Sequence, residues 1–471
     1  MMNLITFALE RRLFFFAIPG AIVAGCLVLL GAYAALSGKF YVQRVVDGQE
    51  TFETQLNEAV VAWHGTLADI EKGEAPSPFA ARPMNLILPA ILPPAPLADF
   101  SIGSDLLPTT TKLTTRANPA NLFVGYEFAN PTMLGLGRFD LTFLVVVILP
   151  LLMIASSFYV FAGERERGRA KTIAAQAGHI QAFVWKRLLI RNVAIWLAFS
   201  LIALLAATVA PAPQMSGARF ASFGVWLAVA WGYGLFWFAL IACAVAFAKR
   251  AETVAAVLFS LWAIFVFAVP AVGGAVAEAA YPPPSRLVFL SEMREGEVEA
   301  VREAEKLTNS FLAEHPEMAL STENVPEYLR AWFISNREAG KRTAPVLEDF
   351  TQSRQNRKAL VGGLQFLSPA LIANHALVTI AGGDVARNMA YQEQARAALE
   401  DLYQRIGPAV VAKQRITVAE FEAIPSFVFQ DRALAEKARS FAAPLGFLVL
   451  IAVVMLGTAR WRLGSSLEKL L

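Results

Sequence analysis

Apolar residues along this chain gather into long blocks and do not alternate with polar ones. Six blocks carry no charged side chain: 13–37, 141–163, 192–218, 220–248, 253–277 and 440–459. A helix needs roughly 20 apolar residues to cross a bilayer, so each block predicts a spanning helix. Only Arg219 separates the third block from the fourth, and Pro211 and Pro213 mark a turn there. The spans are therefore set at 13–37, 141–163, 192–212, 222–248, 253–277 and 440–459. Arg11, Arg12 and Ala32-Tyr33-Ala34 give the first block some features of a secretory leader. A leader's apolar core runs about 7–15 residues, and this block is longer, so it is read as a span.

Two long polar segments lie between the spans, 38–140 and 278–439. The first opens with Val45, Val46, Phe52, Leu56, Val60, Val61, Trp63 and Leu67 at helical spacing, then turns Pro-rich as an irregular connector. The second opens on Tyr281-Pro282-Pro283-Pro284 and continues with helical patterns over 288–315, 326–360 and 385–406. Strand signatures are sparse. The expected fold is an all-α membrane protein: six transmembrane helices with a mostly helical extracytoplasmic domain formed by the loops after spans 1 and 5. Lys and Arg in short loops set the orientation. Arg11 and Arg12, the cluster in 164–191, Lys249, Arg250, and Arg460, Arg462 and Lys469 in the tail 460–471 all fall on one side. The short loop on the other side holds Arg219 alone. Both termini are expected in the cytoplasm.

Composition agrees with this reading. The 471 residues are 56% hydrophobic and 17% charged, with mean hydropathy +0.49. Soluble domains average about 25% charged, which excludes an ordinary soluble or disordered chain. A net charge of +3 gives no reason to expect nucleic acid. Cys26 and Cys243 both lie in apolar runs, so no disulfide framework is expected. His64, His179, His315 and His375 are scattered, and no metal or catalytic constellation is expected. Glu292, Glu295, Glu297, Glu299, Glu303 and Glu305, interleaved with Arg294, Arg302 and Lys306, read as a solvated helix with i,i+4 pairs. The spans show no interior ionisable residue, which argues against an ion-driven transporter. Pro150, Pro270 and Pro444 sit within spans and each removes a backbone donor. Trp226, Trp231, Trp237 and Trp262 read as interface anchors or packing.

The most informative stretch follows the second span: Gly163-Glu164-Arg165-Glu166-Arg167-Gly168-Arg169-Ala170-Lys171-Thr172, then Gln176 and, further on, Trp185-Lys186-Arg187. A charged turn abuts the membrane, Gly168 permits a break, and an amphipathic helix then lies along the interface. Such a surface suits a cytosolic partner; it also reads as a solvated loop that marks topology. No G-x-x-x-x-G-K-[ST] cradle occurs, so an ATP-driven process needs its ATPase, with ATP and Mg, on another polypeptide.

The Glu-Arg-Glu-Arg-Gly run after a span containing Leu149-Pro150-Leu151-Leu152, followed by a small-residue helix and Lys186-Arg187, resembles the signature of ABC-2-type transporter permeases. Gly137-Arg138-Phe139-Asp140-Leu141-Thr142-Phe143 and the stretch from Leu367-Ser368-Pro369-Ala370 to Ala381-Gly382-Gly383-Asp384 resemble a bacterial subfamily with a domain of unknown function in enlarged outer loops. Gly383 departs from the Thr usual there. The resemblance implies a non-enzymatic permease of a bacterial inner-membrane exporter, paired with an identical or paralogous permease in membrane lipid. A periplasmic protein is a further partner. It implies that Glu164, Glu166 and Gly168 shape the entry to a coupling helix containing Thr172, Gln176 and Trp185. Arg165 and Arg167 then meet the cytosolic ATPase, and Lys249 and Arg250 make a second, smaller contact or simply mark topology. Residues 1–12 become an interfacial elbow helix.

Overall fold

The computed structural model describes residues 18–74, 82–103, 108–117, 122–123, 139–168, 180–209, 216–282, 327–412 and 414–468, with single residues and pairs between 291 and 313. The elbow expected at 1–12 lies outside them. Helix α1 (Ile18–Lys72) leads to a hairpin of β1 (Leu88–Ile91) and β2 (Thr110–Leu113), paired antiparallel from Leu88↔Leu113 to Ile91↔Thr110. Helix α2 comprises Leu141–Phe143, a π turn Leu144–Ile148 and Leu149–Ser157, and short α3 (Ala162–Glu166) follows it. Next come α4 (Ile180–Thr208), α5 (Gly217–Phe247) and α6, which is Ala251–Ala263, a π turn Ile264–Ala268 and Val269–Ala280. The chain continues through α7 (Glu327–Leu364), α8 (Pro369–Ala381), α9 (Val385–Val411), α10 (Val418–Glu422) and α11 (Leu434–Glu468).

Among the described residues, six segments are long and apolar enough to cross a membrane: Ile18–Lys72, Leu141–Glu166, Gln181–Thr208, Gly217–Phe247, Ala251–Ala280 and Leu434–Gly464. The chain is an all-α, multi-pass membrane protein. One apolar core unites these segments around Trp226, Tyr233, Trp237 and Phe199, and the large aromatics there are packing residues, fully buried. A second core joins both polar segments. It takes Leu67 from α1, Ala90 and Leu113 from the hairpin, Phe333 and Ile334 from α7, and Tyr391, Leu399, Leu402 and Tyr403 from α9.

Two features differ from the sequence expectation. Helix α1 does not stop at 37 but runs unbroken for 55 residues. At 1.5 Å per residue that is about 80 Å, enough to pass through one core and reach the other. Nothing between 37 and 45 stops a helix: a single internal glycine weakens one by only about 1 kcal/mol. That glycine, Gly38, lets the loop at 98–100 approach closely, because a Cβ there would sit 1.8 Å from the Asp99 carbonyl oxygen. Helix α8 lies in the polar segment 278–439, yet Ala370, Ile372, Ala373, Ala376, Leu377 and Ile380 belong to the first core. Its 13 residues cover about 20 Å, too short to cross a bilayer, so a length criterion passes over it. Ser368 caps its start and Gly382, at φ +79°, ends it.

The prolines fit this packing. Each π turn immediately precedes the segment that holds Pro150 or Pro270. Pro150 has no N–H for the Val146 carbonyl four residues back. The Tyr233 hydroxyl donates to that carbonyl at 2.9 Å, and Trp262 Nε1 donates to the next one, Val147, at 3.0 Å. Before Pro270, the Ser368 hydroxyl donates to the Phe265 carbonyl. The proline-bearing helices are thus tied to α5, α6 and α8. Pro444 stays within α11.

Candidate functional site

The charged run after the second span packs on α4 and on the facing ends of α5 and α6. Helix α3 turns back against the bundle, and Gly168, at φ +68°, closes it in a backbone conformation that only glycine adopts without strain. Glu164 lies 3.7 Å from Arg187 on α4. Arg165 Nη1 donates to the Ala248 carbonyl, just past the end of α5, at 3.3 Å, and its guanidinium stacks 4.2 Å from the Phe161 ring centre. Glu166 Oε1 accepts from the Ala251 N–H, at the start of α6, at 2.7 Å. A helix C-terminus carries unsatisfied carbonyls and partial negative charge, and an N-terminus the reverse. The basic residue therefore meets the end of α5 and the next, acidic residue meets the start of α6.

Beneath this layer, Arg187 Nη1 donates to the Val160 carbonyl at 3.3 Å and Arg191 Nη1 to the Ser156 carbonyl at 2.6 Å. Asn192 Nδ2 donates to Ser157 Oγ at 2.9 Å. Arg187 and Arg191 are buried within α4, where the sequence reading expected loop residues and no ionisable group inside a span. Charge ends an apolar block but does not end a helix, and these arginines find carbonyls opened by the turn at 158–160. Of the remaining expected residues, Arg167, Lys249 and Arg250 are exposed, with Arg167 5.4 Å over the Tyr159 ring. Trp185 is half-buried, its ring 6.0 Å from that of Phe238 on α5. Thr172 and Gln176 lie outside the described residues. Arg460 on α11 is exposed at the same end, where its carbonyl accepts from Gln181 Nε2 at 2.8 Å.

The opposite end holds the most deeply buried charge among the described residues. Arg219, fully buried in the first turn of α5, makes a two-pronged ion pair with Asp99 at 2.9 and 2.7 Å. It also donates to the carbonyls of Pro96 and, at 2.9 Å, Ala207. Sequence reading placed Arg219 in a loop; the first turn of the helix begins at Gly217, and its partner lies over a hundred residues upstream in the Pro-rich segment. Phe100 beside it packs edge-on against Trp226 at 5.0 Å. Asp140 caps α2 through Phe143 N–H at 2.7 Å and holds the Ile102 N–H at 2.8 Å. Burial pushes its carboxyl up to about 6, against the pull of those N–H groups. Further out, Asp431 lies between Arg387 at 2.8 Å and Lys437 at 3.0 Å. Burial raises this carboxyl, but the two cations outweigh burial and hold it below the usual carboxylate range.

Among the described residues no group of three His, Cys, Asp or Glu could hold a metal ion. Glu299 and Glu303 pair instead with Arg342, at 3.3 and 2.9 Å. The family described as Domain of unknown function (DUF3526) matches residues 286–430, which include α7, α8, α9 and α10. No curated protein and no solved structure matches the chain.

Proposed function

We propose that this chain is the membrane-spanning permease of an ATP-driven exporter of the ABC-2 type. It pairs with a second permease in a bacterial inner membrane and receives force from a separate cytosolic ATPase. The observation that carries this reading is the basic end of the bundle. There the run Glu164–Arg167 is tied to α4, α5 and α6, so that a push on this end reaches three spans at once. ATP and Mg belong to the partner ATPase; this chain supplies the contact and the lever.

A second reading is favoured by the packed interior. Trp226, Trp237, Tyr233 and Phe199 fill the space between the spans, and the second core is joined to the first through α1, which gives Leu27 and Ala34 to the one and Leu67 to the other. In this reading the same ATPase drives the outer domain against a periplasmic protein and no substrate crosses. Purification of the tagged chain from its native membrane tests both. Recovery of an ATPase with substrate-stimulated hydrolysis and uptake into proteoliposomes supports the exporter. Hydrolysis stimulated by a periplasmic protein without uptake supports the second reading. Recovery of the folded chain with no ATPase under crosslinking rejects both.

A further inference from the structure

The turn between α5 and α6 is short, and Arg250 at its N-cap position supplies no side-chain cap for α6. The cap comes from Glu166, 85 residues earlier, while Arg165 serves the end of α5. We propose that Arg165 and Glu166 are positioning residues that fasten the α5–α6 turn to the α2–α4 connection, so that Arg167, Lys249 and Arg250 form one composite basic face fitted to an acidic protein surface. The partner's identity as an ATPase rests on the function proposed above; the fastening is a property of this chain alone.

The charges are sorted accordingly. Glu164, half-buried, faces Arg187, and Glu166, though exposed, places one carboxylate oxygen on a helix N-terminus, so each has a partner within this chain. Arg167, Lys249, Arg250 and Arg460 are exposed, against the exposed carboxylates of Glu166 and Glu252. The order of charges matters. An acidic residue at 165 would face the carbonyls ending α5, and a basic one at 166 would face the N–H groups opening α6, both repulsive. The bond to Ala251 needs an acceptor and gains from charge, so glutamine keeps the bond and alanine loses it. Anionic lipid headgroups would also be attracted to such a face, and the test must separate them from a protein.

The full-length chain in nanodiscs, with Cys26 and Cys243 replaced by Ala, is spin-labelled at positions 167 and 250. A single narrow distance is expected. Glu166→Ala broadens it, Glu166→Gln retains it, and a control pair on α4 and α11 at positions 197 and 453 stays narrow in all three. No broadening with Glu166→Ala, or equal broadening of the control pair, overturns the fastening. A photo-crosslinker at position 249 then reads the partner in native membranes. Capture of a protein with a P-loop falls about fivefold in Glu166→Ala, matching one lost hydrogen bond, and persists in Glu166→Gln. Charge reversal at Arg167 and Arg250 that weakens retention on anionic vesicles but leaves this capture intact overturns the composite docking face. Absence of any ATPase rejects the proposed function, while the label widths still decide the fastening.

Discussion

Separating the charges at Asp99 and Arg219 gives the sharpest energetic test of the fold. Arg219 is fully buried, its guanidinium is matched in two-pronged geometry by Asp99, and its remaining donors reach carbonyls of Pro96 and Ala207. Removing one member of such a pair leaves an uncompensated buried charge, worth about 3–5 kcal/mol. Asp99→Leu strands a cation with carbonyls only; Arg219→Met strands a carboxylate beside Phe100. For a chain of this size each should lower the unfolding midpoint by about 3–5 °C, read by tryptophan fluorescence in detergent, with Trp226 near the site as a local reporter. The double variant Asp99→Leu/Arg219→Met removes both charges and leaves an apolar contact of similar volume. Replacing a buried pair in this way is often neutral or stabilising by about 1–4 kcal/mol, so the double variant should recover most of the loss. Single losses under about 1 kcal/mol, the ordinary range for exposed pairs, would show that water reaches the pair and refute the reasoning.

Tyr233→Phe should lower stability by about 1–3 kcal/mol, because the Val146 carbonyl that Pro150 leaves open loses its donor. Restoring an N–H with Pro150→Ala should shrink that loss in a double-mutant cycle, and additivity of the two changes would count against the coupling. Gly38→Ala should destabilise by about 1–3 kcal/mol, since its methyl must displace the Asp99 carbonyl; the thermal midpoint of the variant checks it. Asp431, held below the usual carboxylate range, contributes stability that is present above the ordinary carboxylate pKa of about 3.9 and lost as pH falls through its depressed value. The midpoint of the native chain should therefore drop on acidification below that range, and Asp431→Asn should flatten the drop.

Apolar block length located the six spans because a bilayer sets a length that sequence can meet or miss. The same criterion misplaces α8, whose apolar face is genuine but whose 13 residues fall short of a span, and it hides the buried arginines of α4, because charge ends an apolar block without ending a helix. Arg187 and Arg191 became affordable inside by meeting carbonyls of a turn, a partnership set by tertiary contact and invisible in the local pattern. Asp99 was unreadable for the same reason: its partner is in another segment. The Glu-Arg-Glu-Arg run stood out as unusual, but its sequence does not say which helix ends it serves. One local signal was available for α8, the Ser368-Pro369 start followed by an apolar run closed at Gly382, a capped helix by the usual rules.

The distribution of burial decides where a second copy can sit. The apolar windows of α2 and α5 are each 61% buried, whereas those of α6 and α11 are 22% buried and that of α1 28%. Helices α2 and α5 form the inside of the bundle and have little apolar face left to offer. The unfilled surface lies on the rim, where Leu29 and Tyr33 of α1, Phe259, Phe267 and Val272 of α6, and Leu450 and Val454 of α11 are exposed. Lipid covers such a rim wherever no protein does, so exposure alone does not demand a dimer; it restricts the faces a dimer can use. Burying one of these side chains against another helix exchanges lipid for protein, and association then depends on close packing more than on a hydrophobic drive. Single cysteines placed along α1, α6 and α11 should therefore include those that crosslink two copies, and cysteines at Val229 or Trp237 of α5 should not. Copies joined through α5 positions, with none through the rim, would mean that the bundle opens to pair and would refute this account of its interior.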